Sequence, residues 1–566
     1  LNTKLKKSSL TIKEVRNPEL KIKGILTGPF SDLLIFSNKA SLTRVSSEKI
    51  VRIKGNSESH FKMNLAFNGK KNTYESMIKL KNLEYILDEK NRFKDLSGII
   101  NYKNEIFFTK KENMIDGKYN NTNIKFNLDT DKNGNFLVYG EQKISIQDYI
   151  PNRIIKERIK GKSMWNYNII IPGFGSTNKK IKIITKSNLS GTTIKFPKPF
   201  NKEKNKKNKL IIDTNYVDEK FTNIKIRYNK IFSEFKSLND LTGYVNFSGI
   251  NVNMPDNKIN LIGDVKYFNL AEWKNISDDK IKINYLNFIN KIDLNFLNFK
   301  NGDIILDNFT VKGFNNNKNF VFDKIVVNSD KVEIVSSGLV EYDNITNFKI
   351  NLKSKNVENL LNYWNFEHGL RKSSIYSDIN ISWRGGLFDY ELQKVYGEFS
   401  TNMKEGRIKK VGNRAIRIFG LFNMDLLVKR LSLDFDDVTK NGFFFNSLKG
   451  NFRIENGDIF TTDLIIKGPS AELLTVGTTN IINETYDMQV IASPEFGETL
   501  PAIALIGGPI TAAATYAAEK LAKAFGKDIN DLIKIKYKVS GTWDNPIIKI
   551  IDKKTDVLDE IEDLLK

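Results

Sequence analysis

Cysteine is absent from the 566 residues, and histidine occurs only twice, at His60 and His368. The first absence removes disulfide scaffolds, thiol nucleophiles, iron–sulfur clusters and cysteine zinc sites together. It does not report the compartment, because an oxidising one permits disulfides without requiring them. Two histidines far apart in the chain give histidine-centred acid–base or metal chemistry a poor start. Long apolar runs are lacking too. The one long uncharged window, 499–518, contains Pro501, Gly507, Gly508 and Pro509 and is mostly small residues, which makes a poor isolated membrane helix. The chain opens at Leu1 with no initiator methionine and no spanning stretch near it. The expectation is a fragment, or an upstream anchor or signal that has been removed.

What is present is a folding chain, 40% hydrophobic and 27% charged, long enough for several domains or one repetitive elongated body. Lys and Arg number 88 against 66 Asp and Glu, a formal net charge of +22. Such an excess attracts phosphate, as nucleic acid or as an anionic membrane face. The lysines, however, read as evenly spread and arrive with an excess of Asn, Ile and Phe, as A/T-rich coding produces. Solvated strand faces are therefore expected, and no nucleic-acid partner. The one dense basic run, Lys202 to Lys209, follows Phe196-Pro197-Lys198-Pro199-Phe200 and reads as an exposed loop.

Period-two alternation recurs from end to end. Ile124, Phe126 and Leu128 alternate with Lys125 and Asn127; Ile224, Ile226 and Tyr228 with Lys225 and Arg227; Phe348, Ile350 and Leu352 with Lys349 and Asn351; Ile533, Ile535, Tyr537 and Val539 with Lys534, Lys536 and Lys538. Each run predicts a strand with one apolar and one wet face. Asn133-Gly134, Asn301-Gly302-Asp303, Asn441-Gly442 and Asn456-Gly457-Asp458 supply turns suited to antiparallel hairpins. Helical patterns are few and short: 269–274, 357–364, 413–430 interrupted at Gly420, 511–525 between Pro509 and Gly526, and 556–565. So little helix covers only a small part of so much one-sided sheet. Two solutions remain, stacked sandwiches that pair their own faces, or one long sheet curled into a trough. No composition break marks sandwich boundaries, which favours the trough.

Several patterns imitate chemistry. Asp129-x-Asp131-x-Asn133-Gly134 matches the first half of a calcium loop, but its twelfth position is Gly140 and its flanks alternate like strands. A hairpin turn is the expectation. Gly161-Lys162-Ser163 lacks the earlier glycine of a phosphate-binding loop, and Gly173-x-Gly175 lacks a third glycine. Asp434, Asp436 and Asp437 alternate with Leu433 and Phe435 as a solvated strand face does. Trp273, Trp364, Trp383 and Trp543 are read as core or strand-end packing. No catalytic constellation, metal site or cofactor is expected, and no enzyme.

The C-terminal third carries an ordered set of motifs: Gly420-Leu421-Phe422-Asn423, Leu431 to Phe435, Gly442-Phe443-x-Phe445, Gly450-Asn451-Phe452, Asn456-Gly457, Gly468-Pro469-Ser470-Ala471, Leu500-Pro501, and Tyr537-x-Val539-x-Gly541-x-Trp543-Asp544-Asn545-Pro546. Upstream come Phe196 to Phe200, Asn269 to Trp273, and Trp383-Arg384-Gly385 ahead of Phe388 and Gly397. In this order they resemble the YhdP branch of the AsmA-like family of Gram-negative bacteria, well over 150–550 and only by strand pattern over 1–150. The resemblance implies a bridge-like periplasmic protein whose long twisted antiparallel β-sheet curls into an elongated apolar groove, with a few short helices mostly toward the C-terminus. It implies passive phospholipid transport between inner and outer membranes, and anchoring by an N-terminal inner-membrane helix that this sequence lacks.

On that reading 1–150 is the first part of the groove, 151–405 its centre, 406–550 an AsmA-like C-terminal region with the 511–525 helix, and 551–566 a terminal helix. Ile224, Ile226, Phe348, Ile350, Leu352, Ile533, Ile535, Tyr537 and Val539 are the candidate groove lining. Leu505, Ile506, Tyr516, Leu521 and Phe525 are candidates for membrane contact; a helix capping the open sheet edge explains the same segment. The expected partners are phospholipid acyl chains, the two membranes and envelope proteins. The alternative is a periplasmic scaffold or outer-membrane assembly factor built of closed β-sandwiches.

Overall fold

A computed structural model describes residues 2–555 apart from 14–17, 40–44, 46, 68–71, 87–91, 105, 120–121, 151, 174–175, 178, 238–239, 277–284, 343–344, 367–368, 409–442, 470 and 495–532. Thirty of the described strands belong to one open, predominantly antiparallel sheet, and Ile159–Gly161 pairs with Thr192–Ile194 in a separate two-stranded one. Contacts divide the chain into two compact units, Leu1–Ile262 and Gly263–Lys566.

In the first unit each strand pairs with the next available one. Antiparallel pairing runs from Lys4–Lys13 through Glu19–Pro29, Ile53–Ala66, Thr73–Ile86 and Arg92–Lys103. It continues through Ile115–Tyr119, Thr122–Thr130, Phe136–Ile144, Ser163–Ile171 and Ile181–Ser187. It ends on Leu210–Val217, Lys220–Tyr228, Ile231–Ser237 and Gly243–Asn246. Gly243–Asn246 then pairs parallel with the start of Ile259–Asn269.

The second unit repeats the antiparallel ladder. It passes from Ile289–Asn301 through Ile304–Asn315, Asn319–Asn328, Glu333–Glu341 and Ile345–Ser354. Ser374–Arg384, Val395–Ile408, Phe443–Glu455 and Asp458–Lys467 follow, then Ala471–Asn480, Thr485–Pro494, Ile533–Thr542 and Pro546–Thr555. The alternating runs Ile124 to Leu128, Ile224 to Tyr228, Phe348 to Leu352 and Ile533 to Val539 are all strands, as expected.

The hairpins form where the turn residues place them. Asn456 (φ 52°) and Gly457 (φ 84°) connect Glu455 to its cross-strand partner Asp458, the two consecutive positive φ values that a tight two-residue hairpin needs. The calcium-loop imitation is a hairpin turn. Asp131 accepts from the backbone N–H of Asn133 and Asn135 and from Asn135 Nδ2, which holds its carboxyl below the usual range. Gly161-Lys162-Ser163 merely joins two strands.

The described helices are α1 (Phe30–Lys39), α2 (Ser47–Val51), α3 (Arg153–Arg158), α4 (Leu270–Lys274) and α5 (Val357–Tyr363). The last two match sequence expectations. The first three lie in the N-terminal unit, so among the described residues helix is not concentrated toward the C-terminus. The expected helices at 413–430, 511–525 and 556–565, the acidic cluster at Asp434, Asp436 and Asp437, and the Asn441-Gly442 turn lie outside the described residues. No helix among the described residues is long and apolar enough to cross a membrane.

Candidate functional site

Side chains of directly paired residues stand on the same side of a sheet, so the register assigns every residue a face. In the first unit, Tyr167, Thr185, Ile212, Ile226, Ser233 and Val245 are successive partners across six strands. Trp165, Ser187, Leu210, Tyr228 and Ile231 form the row beside it. One residue along each strand, the other face carries Asp213, Lys225 and Glu234 as partners, with Lys225 Nζ 3.1 Å from the Glu234 carboxylate. The first face is therefore mainly apolar, and the second mixes these charged groups with Ile211 and the buried Phe232, the partners of Arg227. Ile224 is buried opposite Phe235, while Ile226 and Ile212 are half-buried.

In the second unit Ile334, Leu352, Ser377, Thr401 and Gly450 are successive partners. Ile350 pairs with Ile379, which pairs with Phe399 and then Phe452; the last two rings stack at 4.7 Å. Phe348 pairs with Ile381 and stacks on Trp383 at 5.8 Å. Phe348, Ile350, Leu352, Ile379 and Ile381 are all half-buried. The alternating Lys349 and Asn351 are exposed on the opposite face.

Further along this unit the same face is sealed. Leu464, Thr475, Val490 and Tyr537 are successive partners, as are Leu448, Ile466, Leu473 and Ala492. Leu448, Leu464 and Ile466 are 0% exposed and Tyr537 only 1%. Val539, paired with Met488 and Ile548, belongs to the same buried cluster. Burial pushes the Tyr537 hydroxyl up to about 12. Ile533 and Ile535 hold strand positions opposite Thr555 and Lys553, but their side chains, like Leu505, Ile506, Tyr516, Leu521 and Phe525, lie outside the described residues. The sequence-chosen residues thus fall into a half-open set and a sealed set.

Helices and one strap lie on the apolar face. Leu33 of α1 packs with Ile78, Leu80, Leu83 and Ile115. Leu360 of α5 packs with Val327 and Val332, beside Ile334 and Leu352, and Trp364 at its end donates to the Ile305 carbonyl at 2.8 Å. Trp273 of α4 stacks on Phe268 at 5.9 Å. The strap combines 152–162 with 189–209, joined by the Ile159–Gly161 and Thr192–Ile194 pair. Its Leu189, Ile194 and Phe200 pack against Trp165, Leu210, Ile212 and Tyr228. Asn208 Nδ2 donates to the Tyr228 hydroxyl at 2.7 Å.

The run expected as an exposed loop is corrected here at two positions: Lys202 is 2% exposed and Asn208 6%. The Lys202 ammonium donates to the carbonyls of Thr192 at 2.7 Å and Glu203 at 2.9 Å. Its burial lowers its pKa. Trp165 and Trp383 are buried, and Trp543 donates to the Thr479 hydroxyl at 2.8 Å, so the tryptophans pack as expected. Among the described residues no group of three or more His, Asp or Glu side chains is placed to hold a metal.

A family model for YhdP protein matches residues 1–334 and 287–548. This chain belongs to the YhdP family. The match begins at residue 1, extending to the N-terminal strands that carried none of the motifs. A YhdP relative from Escherichia coli (strain K12), named intermembrane phospholipid transporter YhdP, is 26% identical over 205 residues. The aligned stretch is 36% of this chain and 16% of that relative, so the chain corresponds to a minor part of the relative's length. No solved structure matches.

Several members of the apolar face escaped the sequence reading, notably Ile212, Ile379, Ile381 and Phe399. Ile212 ends the unbroken run Leu210-Ile211-Ile212, and Ile169 sits in Ile169-Ile170-Ile171. A continuous apolar run shows a strand but not which of its residues share a face. Register supplies the missing assignment.

Proposed function

We propose that this chain carries phospholipid between membranes without catalysis, its acyl tails lying on the half-open apolar face and its headgroup staying in water. The observation that supports this best is the registered apolar row through Ile212 and Ile226, and its counterpart through Ile350 and Ile379. Both remain partly accessible in an open sheet whose opposite face carries Lys225 and Glu234 in the first unit and Lys349 and Asn351 in the second. Shelter is worth roughly 0.8 kcal/mol per methylene, so a two-chain lipid leaving a bilayer faces a barrier of tens of methylenes that such a face largely removes. Sliding along it needs no nucleotide and no covalent step. The name of the Escherichia coli relative points the same way. In this reading the chain works in the periplasm between inner and outer membranes, with envelope proteins as neighbours. In this reading the 1–150, 151–405 and 406–550 segments each contribute apolar sheet face for acyl tails.

A scaffold of closed sandwiches would leave no accessible apolar row. The cluster around Leu448, Leu464 and Tyr537 has that sealed character, whereas the faces around Ile226 and Ile350 do not. The test is lipid content. Ile226→Asp and Ile350→Asp, at half-buried positions, are expected to fold and to lose at least half of the co-purifying phospholipid by mass spectrometry. Lys225→Asp and Lys349→Asp, on the opposite face, leave it unchanged. Equal lipid in all four variants and the unaltered chain would overturn the proposal.

A further inference from the structure

The net charge is not spread evenly in space. Residues 152–162 hold five Lys or Arg and one Glu, and 189–209 hold seven Lys and one Glu. The two segments together carry a net +10 of the chain's +22 on 32 of its 566 residues. The backbone joins them: Ile159, Lys160 and Gly161 pair with Ile194, Thr193 and Thr192, and the Lys195 N–H donates to the Arg158 carbonyl at 2.8 Å. Lys160, Lys195, Lys204, Lys206, Lys207 and Lys209 are exposed. Glu157 is occupied by Arg153 at 2.8 Å, which leaves Glu203 as the other acidic side chain of the strap.

This basic piece does not float free of the apolar face. Phe200 stacks on Tyr228 at 6.3 Å, and Leu189 and Ile194 complete the same cluster against Trp165 and Ile212. The buried Lys202 ammonium, bound by the Thr192 and Glu203 carbonyls, folds the second segment onto its own strand, the one that pairs with the first. Gly191 N–H donates to the Lys204 carbonyl at 2.9 Å. The strap therefore carries its cationic groups beside Ile212, whose cross-strand partner Ile226 continues the row, both side chains half-buried.

We infer that the strap at 152–162 and 189–209 selects lipids with anionic phosphate headgroups, the lysines holding the headgroup while its tails lie on the adjacent apolar face. The inference rests on the transport reading above and adds headgroup preference to it. A zwitterionic headgroup brings its own cation to the phosphate and gains less from the strap, whereas phosphatidylglycerol presents an unscreened negative charge. Duplex nucleic acid offers phosphate too, but nothing in it uses an apolar face next to the cations.

The experiment incubates the full chain with vesicles of equimolar phosphatidylglycerol and phosphatidylcholine at about 0.15 M salt. The chain is re-isolated, bound lipid is identified by mass spectrometry, and capture of duplex DNA is measured in parallel. The expected result is enrichment of phosphatidylglycerol by about tenfold. In K204E/K206E/K207E, three exposed positions away from the packed core of the strap, enrichment falls to near one while total lipid per chain is unchanged. K204Q/K206Q/K207Q falls between. Lipid bound without headgroup selection, or selection that survives charge reversal, overturns this inference and leaves transport standing. Absence of bound lipid in the unaltered chain overturns both. DNA captured more tightly than either vesicle lipid also overturns it, in favour of a nucleic-acid surface.

Discussion

At the residue scale the two faces differ in what each position tolerates. Ile350 and Val539 look alike in sequence, both apolar members of a Lys-alternating run, yet Ile350 is half-buried and Val539 is 6% exposed within a closed cluster. Val539→Asp buries a carboxylate with no partner and is expected to cost at least about 3 kcal/mol, read as a large drop in the denaturation midpoint. Ile350→Asp, able to reach water, is expected to cost about 1–2 kcal/mol. Similar losses at both positions would show that the two stretches are equally sealed. Glu58 supplies a pH test. A hydrogen bond with His60 first, then the Lys81 ammonium, hold its carboxyl at about 2 rather than 4.5. A folded-state pKa below the unfolded one means its contribution is complete above about 4.5 and lost as pH falls toward 2. Carboxyl NMR should find that midpoint near 2; titration at the ordinary value would contradict the pairing.

At the element scale the strands were legible and the pieces lying across them were not. Period two is a local signal, so Ile124 to Leu128 and Ile224 to Tyr228 announce both strand and face. The strap depends on pairing Ile159 with Ile194, 35 residues apart, and no local pattern reports such a meeting. Its charge therefore looked like one basic run in an evenly basic chain, and burial of Lys202 inside that run was invisible. α1 was missed for a related reason: Phe30–Lys39 is short, and only Leu33 and Leu34 are buried within it. The strap should open as a unit. Phe200→Ala removes a half-buried ring from the Tyr228 cluster at a cost of about 1–3 kcal/mol. Amide exchange should then accelerate at Ile194 and Lys202, which bond to each other, and not at Ile212 in the underlying sheet. Uniform acceleration would mean that strap and sheet open together.

At the scale of the whole molecule, scarce helix, abundant one-sided strand and the family motifs pointed to an open sheet, and the ladders within each unit show one. Exposure of the apolar face could not be read in advance. Which stretch stays accessible depends on residues far apart in the chain, as when α5 packs beside Ile334 and Leu352 while Leu448 and Leu464 close on one another. The claim on which the functional reading turns is that acyl tails lie along the accessible stretches. Photo-reactive phenylalanine analogues at Ile226 and Ile350, with Lys225 and Lys349 as opposite-face controls, test it directly. The chain is irradiated in the presence of phospholipid and the adducts are weighed by mass spectrometry. Transport along the apolar face predicts lipid adducts at Ile226 and Ile350 and none at the two lysine positions. Adducts equally frequent on both faces, or absent from Ile226 and Ile350, would contradict it.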